Sequence, residues 1–342
     1  SQKSLLILCV SARFRWALTN LCAIVVLQKR GAESTPMRGE HTVMKTQRFG
    51  VEIELTGISR SNAAKLIADY FGTRSTYDGT FYNKYTAVDR QGRKWTAMFD
   101  GSIDARDKDG HSLGSEYQCE IVTPILGWDD IETLQEIVRL LRKNGAIANA
   151  SCGIHVHVDA TNHTAKTLRN LVNIMTAKED ILFKALAVSR SRAERWCKKT
   201  EEGFVANLNR RKPKTESGIE RLWYNGASRR TTHYDISRYH ALNLHSLWQG
   251  KGIEFRCFNG TTHAGKIKTY IQLCLAISHQ ALTQNAASAR KTTSTNEKYT
   301  MRTWLLRMGM IGDEFKTARQ FLLESLDGDI AFRNGRPNRV AG

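Results

Sequence analysis

The stretch Ser151–Asp159 constrains the fold most, because polar and aliphatic side chains alternate along it. Two histidines alternate with three aliphatic residues: His155 and His157 with Ile154, Val156 and Val158. Successive side chains of a β-strand point to opposite faces, so both imidazoles leave one face and the aliphatic chains leave the other. We therefore predict a strand with one packed face and one polar face.

Three other segments carry charged side chains at a similar alternate spacing. Their polar members are Glu52 and Glu54, then Glu116 and Glu120, then Glu254 and Arg256. Apolar residues such as Ile53, Ile121 and Phe255 lie between them, which predicts strands that pack on a core. We expect these strands over residues 48–56, 116–123 and 252–258, with the polar side chains gathered on one face of a sheet.

The remaining periodicity predicts helices and a hairpin. Apolar spacing and cap signals predict helices over 62–72, 129–143, 164–188 with a break near Ala177, and 264–283. A hairpin is expected over 84–89 and 94–100, and a further strand over 239–247. Residues 286–297 read as a polar linker, followed by two helical stretches within 301–326.

The charge balance favours acidic partners. The chain has 342 residues and a formal net charge of +18, which suits nucleotides, nucleic acid, anionic cell-wall polymer or acidic peptide. Its seven cysteines are an odd number without a Cys-x-x-Cys spacing, so neither a disulfide framework nor a zinc knuckle is indicated. We expect a reducing, cytoplasmic setting.

Residues 1–43 differ from the rest of the chain. Their two apolar runs are far shorter than the roughly 20 residues that a spanning helix needs, so we predict no membrane span. We interpret 1–43 as an appended extension, 44–285 as the main domain, and 286–342 as a linker with a C-terminal helical segment.

A polar face with this many carboxylates needs cations. Burying an unpaired anion costs several kcal/mol, so the carboxylates require counter-charges. Carboxylate oxygens with one or two imidazoles suit Mg²⁺ or Mn²⁺, whereas zinc more often recruits cysteine or several histidines. Such ions usually bridge nucleotide phosphates, and an arginine on the same face can neutralise a transferred phosphoryl group. The pattern predicts a metal–phosphate site.

Five motifs together resemble those of the putative amidoligases, a family related to glutamine synthetase and γ-glutamylcysteine synthetase. They are Phe49-Gly-Val-Glu-Ile-Glu54, Glu120-Ile-Val-Thr-Pro124, Cys152-Gly-Ile-His-Val-His157, Arg238-Tyr-His-Ala-Leu-Asn243 and Gly252-Ile-Glu-Phe-Arg-Cys-Phe-Asn-Gly260. The resemblance covers roughly Arg48 to Thr283 in the expected order. It implies an α+β fold, with a curved, mostly antiparallel sheet backed by helices.

The resemblance also implies an activity and residue roles. The activity is that of an ATP-dependent carboxylate–amine ligase, in which ATP phosphorylates a carboxylate and an amine attacks the acyl phosphate. By motif position, Glu54 and Glu120 resemble ligands of one Mg²⁺ or Mn²⁺ ion, and Glu52, His155 and Glu254 resemble ligands of the ion between the ATP phosphates. Glu116 is a further candidate ligand. Arg256 would hold the transferred phosphoryl group and His157 a phosphate oxygen, while Arg238 and Asn243 would face substrate or nucleotide.

Two other classes of function stay open at this point. A basic nucleic-acid-binding protein would use the positive charge, but no recognised nucleic-acid motif is present. A metal-dependent hydrolase would explain the histidines and glutamates, yet it leaves Arg256 less well explained.

Residues 190–230 form a basic segment with 12 Lys or Arg and five Glu. At its centre, Arg210–Lys214 carries four cations, and Pro213 disfavours helix at Lys212, so we predict a loop there. This loop is either an exposed, solvated surface or a lid that contacts an acidic co-substrate such as a peptide or cell-wall fragment.

Overall fold

One antiparallel sheet forms the centre of the protein, as seen in a computed structural model that describes residues 44–334. Its strands are β1 (Phe49–Leu55), β2 (Ser75–Tyr77), β3 (Tyr85–Val88), β4 (Lys94–Phe99), β5 (Cys119–Val122), β6 (Gly153–Val158), β7 (Leu242–Asn243) and β8 (Ile253–Asn259). They lie in the order β2-β3-β4-β5-β1-β6-β8-β7, and every neighbouring pair is antiparallel. Our predictions for residues 1–43 and 335–342 lie outside the described residues.

Ten helices within residues 44–334 surround this sheet, and the longest of those that pack directly on it lie on its apolar face. They are α1 (Arg60–Phe71), α2 (Ile131–Lys143), α3 (Ala165–Ala185), α4 (Arg190–Arg195), α5 (Glu202–Arg211), α6 (Glu216–Trp223), α7 (His245–Trp248), α8 (Ala264–Thr283), α9 (Glu297–Arg307) and α10 (Lys316–Glu324). Helix α1 packs on β3 and β4, and α8 packs on β6. Helices α2, α3 and α10 pack on α8 in turn, which gives the mixed helix-and-sheet fold that we predicted.

Local sequence signals explain several of these elements. Ser59 caps α1 by accepting a hydrogen bond from the Asn62 N–H, and Gly72 ends it with a left-handed φ of 72°. The predicted hairpin is formed by β3 and β4. In its turn, Asp89 accepts hydrogen bonds from the backbone N–H groups of Gln91 and Arg93.

Two predictions about helices were wrong. Helix α3 runs without a break through Ala177. The basic segment 190–230 is mostly helical rather than a loop: it contains α4, α5 and α6, and Arg210 and Arg211 lie at the end of α5. Lys212 ends that helix in a left-handed conformation, so the predicted loop is confined to the residues around Pro213. The helices form because apolar residues such as Phe204, Leu208 and Ile219 reach the core between the charges.

Two predicted strands are shorter than expected. Residues 115–117 form a 3-10 turn, because Arg60 binds the carbonyl oxygens of Ser115 and Gln118 at 2.5 and 3.0 Å, and β5 begins only at Cys119. Of residues 239–247, only Leu242 and Asn243 pair with β8. The chain then turns into α7, where the Asn243 side chain accepts the His245 N–H at 2.9 Å.

The C-terminal helices share the core of the main domain. Trp304, Phe315 and Leu322 are buried in the same apolar cluster as the strands and α8. Within residues 44–334, no helix has the length and apolar character that crossing a membrane would require.

His163 joins the start of α3 to α8 and gives the fold a testable pH dependence. Its ring contacts the hydroxyls of Ser278 at 3.0 Å and Thr167 at 3.2 Å, and burial lowers its pKa to about 4. In the unfolded chain His163 becomes protonated near pH 6.5, whereas in the folded protein it becomes protonated only near pH 4. The free energy of unfolding therefore falls as the pH drops from 6.5 to about 4. Replacing His163 with Gln should remove up to about 1.4 kcal/mol per pH unit of that slope, measured by urea unfolding between these pH values. An unchanged slope would contradict the assignment.

Candidate active site

The strand register brings the predicted polar residues together at the centre of the sheet. Glu52 lies opposite His155, Glu54 opposite Glu120, and His157 opposite Glu254. All six side chains, with Arg256, project from the face that α1 and α8 do not cover. The structure confirms the predicted polar face on β1, β5, β6 and β8 for these seven residues, but not for Glu116.

Glu52 lies between the two imidazoles. Its Oε2 is 3.0 Å from Nδ1 of His155, and its Oε1 is 3.2 Å from Nε2 of His157. Burial alone would raise the pKa of Glu52, but His157 and His155 hold that pKa well below its usual value. Glu52 is therefore an anion, available as a ligand for a cation.

Glu254 is held from both sides. Its Oε2 accepts a hydrogen bond from the Asn243 amide at 2.6 Å, and its Oε1 pairs with the guanidinium of Arg256. Against the effect of burial, Arg256 and then the two histidines lower the pKa of Glu254 to about 2. Burial also opposes the charge on Arg256, but Glu254 and the other glutamates raise its pKa. The pair fixes a guanidinium at the centre of the polar face.

The polar side chains on this face form one cluster, and a second part of it holds three carboxylates close together: Glu54, Glu120 and Asp100. One oxygen from each lies within 4.8 Å of the others. Glu54 accepts the Gly153 N–H at 2.5 Å. Burial, followed by Glu52, Asp100 and Glu54, raises the pKa of Glu120 well above its usual value. This crowding of carboxylates is costly unless a cation relieves it.

These donor atoms fit divalent metal ions. Besides the Glu54–Asp100–Glu120 group, two other groups on this polar face have suitable spacing: Glu52, Glu120 and His155, and Glu52, His157 and Glu254. Nε2 of His157 is buried and makes no hydrogen bond within the described residues, because Glu52 approaches it without hydrogen-bond alignment. A buried ring nitrogen that makes no hydrogen bond among carboxylate oxygens can bind a cation held by those oxygens or donate to a phosphate oxygen beside it.

Two predicted site residues lie apart from this cluster. Glu116 is exposed on the 3-10 turn before β5, so the prediction that it shares the strand face was wrong. Arg238 lies at the end of another 3-10 turn, where its guanidinium stacks on the rings of Tyr234 at 5.6 Å and Tyr239 at 5.7 Å. The Tyr234 hydroxyl is 3.2 Å from that of Tyr82, which links the β2–β3 turn to the segment before β7.

Asp100 belongs to the cluster but was not predicted. It follows β4, in which Met98 lies opposite Glu120, so Asp100 is on the same face and diagonal to Glu120. A period of two along β4, counted from that pairing, was the signal that could have identified it. Arg192, discussed below, was also not singled out.

The comparison with known families identifies the family of this chain. The model of a family described as a putative amidoligase enzyme matches residues 45–278, which is more than half of the chain. The chain therefore belongs to this family, whose description is that of an amide-forming ligase. A search of curated proteins found no match.

Proposed function

We propose that the protein is an ATP-dependent carboxylate–amine ligase that forms an amide bond through an acyl phosphate. The observation that carries the proposal is the convergence of four glutamates, three of them buried, with two imidazoles and Arg256 on one sheet face, in a member of the amidoligase family. We also propose that the sheet is of the glutamine synthetase type. The antiparallel pairing of its strands and the packing of α1 and α8 on its apolar face support this.

The proposed reaction has two steps. A carboxylate oxygen of the acid substrate attacks the γ-phosphorus of ATP, and the bond to ADP breaks. The amine then attacks the acyl carbon, inorganic phosphate leaves, and the amide nitrogen loses a proton. The first step brings two anions together and the second releases a phosphate anion, so both need a face that combines ligands for cations with a fixed arginine.

Residue roles follow from position. Glu54 and Glu120, with Asp100, would hold one Mg²⁺ or Mn²⁺ ion; Glu52, Glu254 and His155 would hold the other, through the His155 Nδ1 that faces both carboxylates at 3.0 and 3.5 Å. When bound, such ions neutralise and bridge phosphate oxygens. Arg256, kept in place by Glu254, would hold the transferred phosphoryl group. His157 would donate to a phosphate oxygen, and Asn243 orients Glu254.

Arg238 would face the nucleotide or substrate at the rim of this polar face. It stacks on two tyrosines rather than joining the cluster, so a role in binding is favoured over a role in the reaction.

An assay with hydroxylamine tests the reaction class. With ATP, Mg²⁺ and a panel of carboxylic acids or acidic peptides, an acyl phosphate should be trapped as a hydroxamate together with stoichiometric ADP. A hydrolase would release an acid or phosphate without hydroxamate, and a nucleic-acid-binding protein would give neither. ATP-independent product, or ADP release that no acid in the panel stimulates, would contradict the proposal.

The four cations of Arg210–Lys214 give a prediction about the acid substrate. We propose that they contact an acidic co-substrate, since the site's own arginine and metal ligands already meet the charge of ATP. Exposed ion pairs contribute about 0–1 kcal/mol each, so replacing Arg210, Arg211, Lys212 and Lys214 with Ser should raise the KM of the acid by up to tens of fold. It should also flatten the salt dependence of that KM and leave the KM of ATP unchanged. If the KM of ATP changed instead, or if neither KM changed, these residues would be a solvated surface.

A further inference from the structure

Arg192 is a buried cation beside the cluster, and the proposed reaction assigns it no role. It lies on α4 and is only 3% exposed. Its guanidinium donates to the carbonyl oxygens of Cys152 at 3.3 Å and Arg256 at 3.4 Å, and its Nη2 is 3.3 Å from Nε2 of His155. Within residues 44–334, no carboxylate forms an ion pair with it. Because burying a cation without a direct partner is costly, packing alone is a poor reason for this position.

The two carbonyl contacts lie on different strands at a point where the sheet is irregular. Ile154 pairs with Phe258 but Val156 pairs with Phe255, so β8 has one extra residue in the stretch facing His155. Arg256 lies in this bulge. Bulges redirect side chains, often next to active sites. Arg192 bridges the bulge by binding one carbonyl in β8 and one just before β6.

The guanidinium of Arg192 packs against the backbone of Gly153. A Cβ atom added to Gly153 would lie 1.9 Å from Nη2 and 2.3 Å from Cζ of Arg192. The guanidinium therefore lies directly on the first residue of β6, and any side chain at position 153 would displace it.

The contact with His155 has a chemical consequence. A guanidinium only donates hydrogen bonds, so Nε2 of His155 accepts from Arg192. Nδ1 of the same ring lies 3.5 Å from Nη1 of Arg256 but only 3.0 Å from Oε2 of Glu52, and this closer acceptor places the ring proton on Nδ1 in the metal-free protein. That proton points to Oε2 of Glu52 at 3.0 Å. Oε1 of Glu54, 3.6 Å from the same Nε2, can accept from it when Nδ1 binds a cation. In that state Nε2 no longer accepts from Arg192, which keeps its contacts with the carbonyl oxygens of Cys152 and Arg256 and so still supports the bulge.

We propose that Arg192 is a positioning residue of the active site, which fixes the imidazole of His155 and the bulge that carries Arg256. The expected loss of kcat on removing Arg192 rests on the proposed ligase function, whereas the expected change in the protonation site of His155 does not. Removing a group that orients a ligand typically costs 10–100-fold in activity or affinity.

The test uses Arg192→Met, which keeps the length of the side chain and loses its donors. Long-range ¹H–¹⁵N spectra of metal-free, histidine-labelled protein should show His155 protonated on Nδ1 in the wild type and shifted toward Nε2 in the variant. Arg195→Met, an exposed arginine on the same helix, is the matched control and should leave the spectrum of His155 unchanged. In the ligase assay, Arg192→Met should lower kcat by about 10–100-fold and leave the KM of ATP nearly unchanged.

Gly153→Ala provides a second route, because it displaces the guanidinium while keeping Arg192. In Gly153→Ala the proton of His155 should also shift toward Nε2, in a protein whose fold is verified by circular dichroism. This variant tests the positioning role if Arg192→Met does not fold. A His155 spectrum identical to that of the wild type in the folded variants would overturn the proposal. A changed spectrum without ligase activity in any form would instead refute the proposed function and leave the positioning role standing.

Discussion

Replacing Glu54 or Glu254 with glutamine is expected to lower Mg²⁺-dependent ATP turnover by about 10²–10³-fold while leaving the fold largely intact, because several kcal/mol of charge stabilisation are lost. Both carboxylates are buried and already hydrogen-bonded, Glu54 to the Gly153 N–H and Glu254 to Asn243. Glutamine retains the shape and an acceptor oxygen but not the charge that binds a cation. In Glu254→Gln it also leaves Arg256 without its closest ion-pair partner.

The chain provides a matched control for this experiment. Glu116→Gln makes the same chemical change on the exposed turn before β5, outside the cluster. Steady-state ATP turnover with and without Mg²⁺, alongside thermal unfolding, separates loss of function from loss of structure. Full activity in both Glu54→Gln and Glu254→Gln would exclude the two-metal arrangement, and a loss in Glu116→Gln would show that the effect is not specific to the cluster.

The polar face was predictable because its signal is local. A period of two in a strand determines which side chains share a face, whatever the rest of the chain does. Glu52 and Glu54, His155 and His157, and Glu254 and Arg256 were therefore placed correctly without any knowledge of strand order.

The errors occurred where a distant residue overrides a local pattern. Glu116 continues the alternation of Glu120, but the Arg60 guanidinium, from α1, binds two carbonyls of this stretch and turns it away from the sheet. Near β7, the Asn243 side chain accepts the His245 N–H at the start of α7, where a run with a strand pattern ends. Neither contact leaves a periodic signal.

Asp100 and Arg192 illustrate a further limit. The position of Asp100 depends on the register between β4 and β5, which the sequence of either strand does not specify alone. Arg192 is one of 12 cations in residues 190–230, and only the tertiary structure distinguishes the buried one at the site from those in solvent. Charge and composition predict a basic surface there, but they cannot predict an exception to it.

Replacing Glu120 with glutamine is expected to raise the stability of the metal-free protein while it abolishes activity. Glu120 is 8% exposed, and burial together with Glu52, Asp100 and Glu54 raises its pKa well above its usual value. For a carboxyl whose pKa is raised by folding, stability falls as the pH rises above the unfolded value of about 4.5. Glutamine removes this cost, because it carries no charge at neutral pH in the same crowded position.

Chemical unfolding at neutral pH, with a chelator or with excess Mg²⁺, measures this difference. In the chelator, Glu120→Gln should unfold at a higher denaturant concentration than the wild type, and Glu116→Gln should match the wild type. Added Mg²⁺ should stabilise the wild type through binding to the folded state, and should stabilise Glu120→Gln much less because a ligand is missing. A metal-free Glu120→Gln that is less stable than the wild type would mean that Glu120 is satisfied by the protein itself. The crowding of Glu54, Asp100 and Glu120 would then no longer argue for a bound cation.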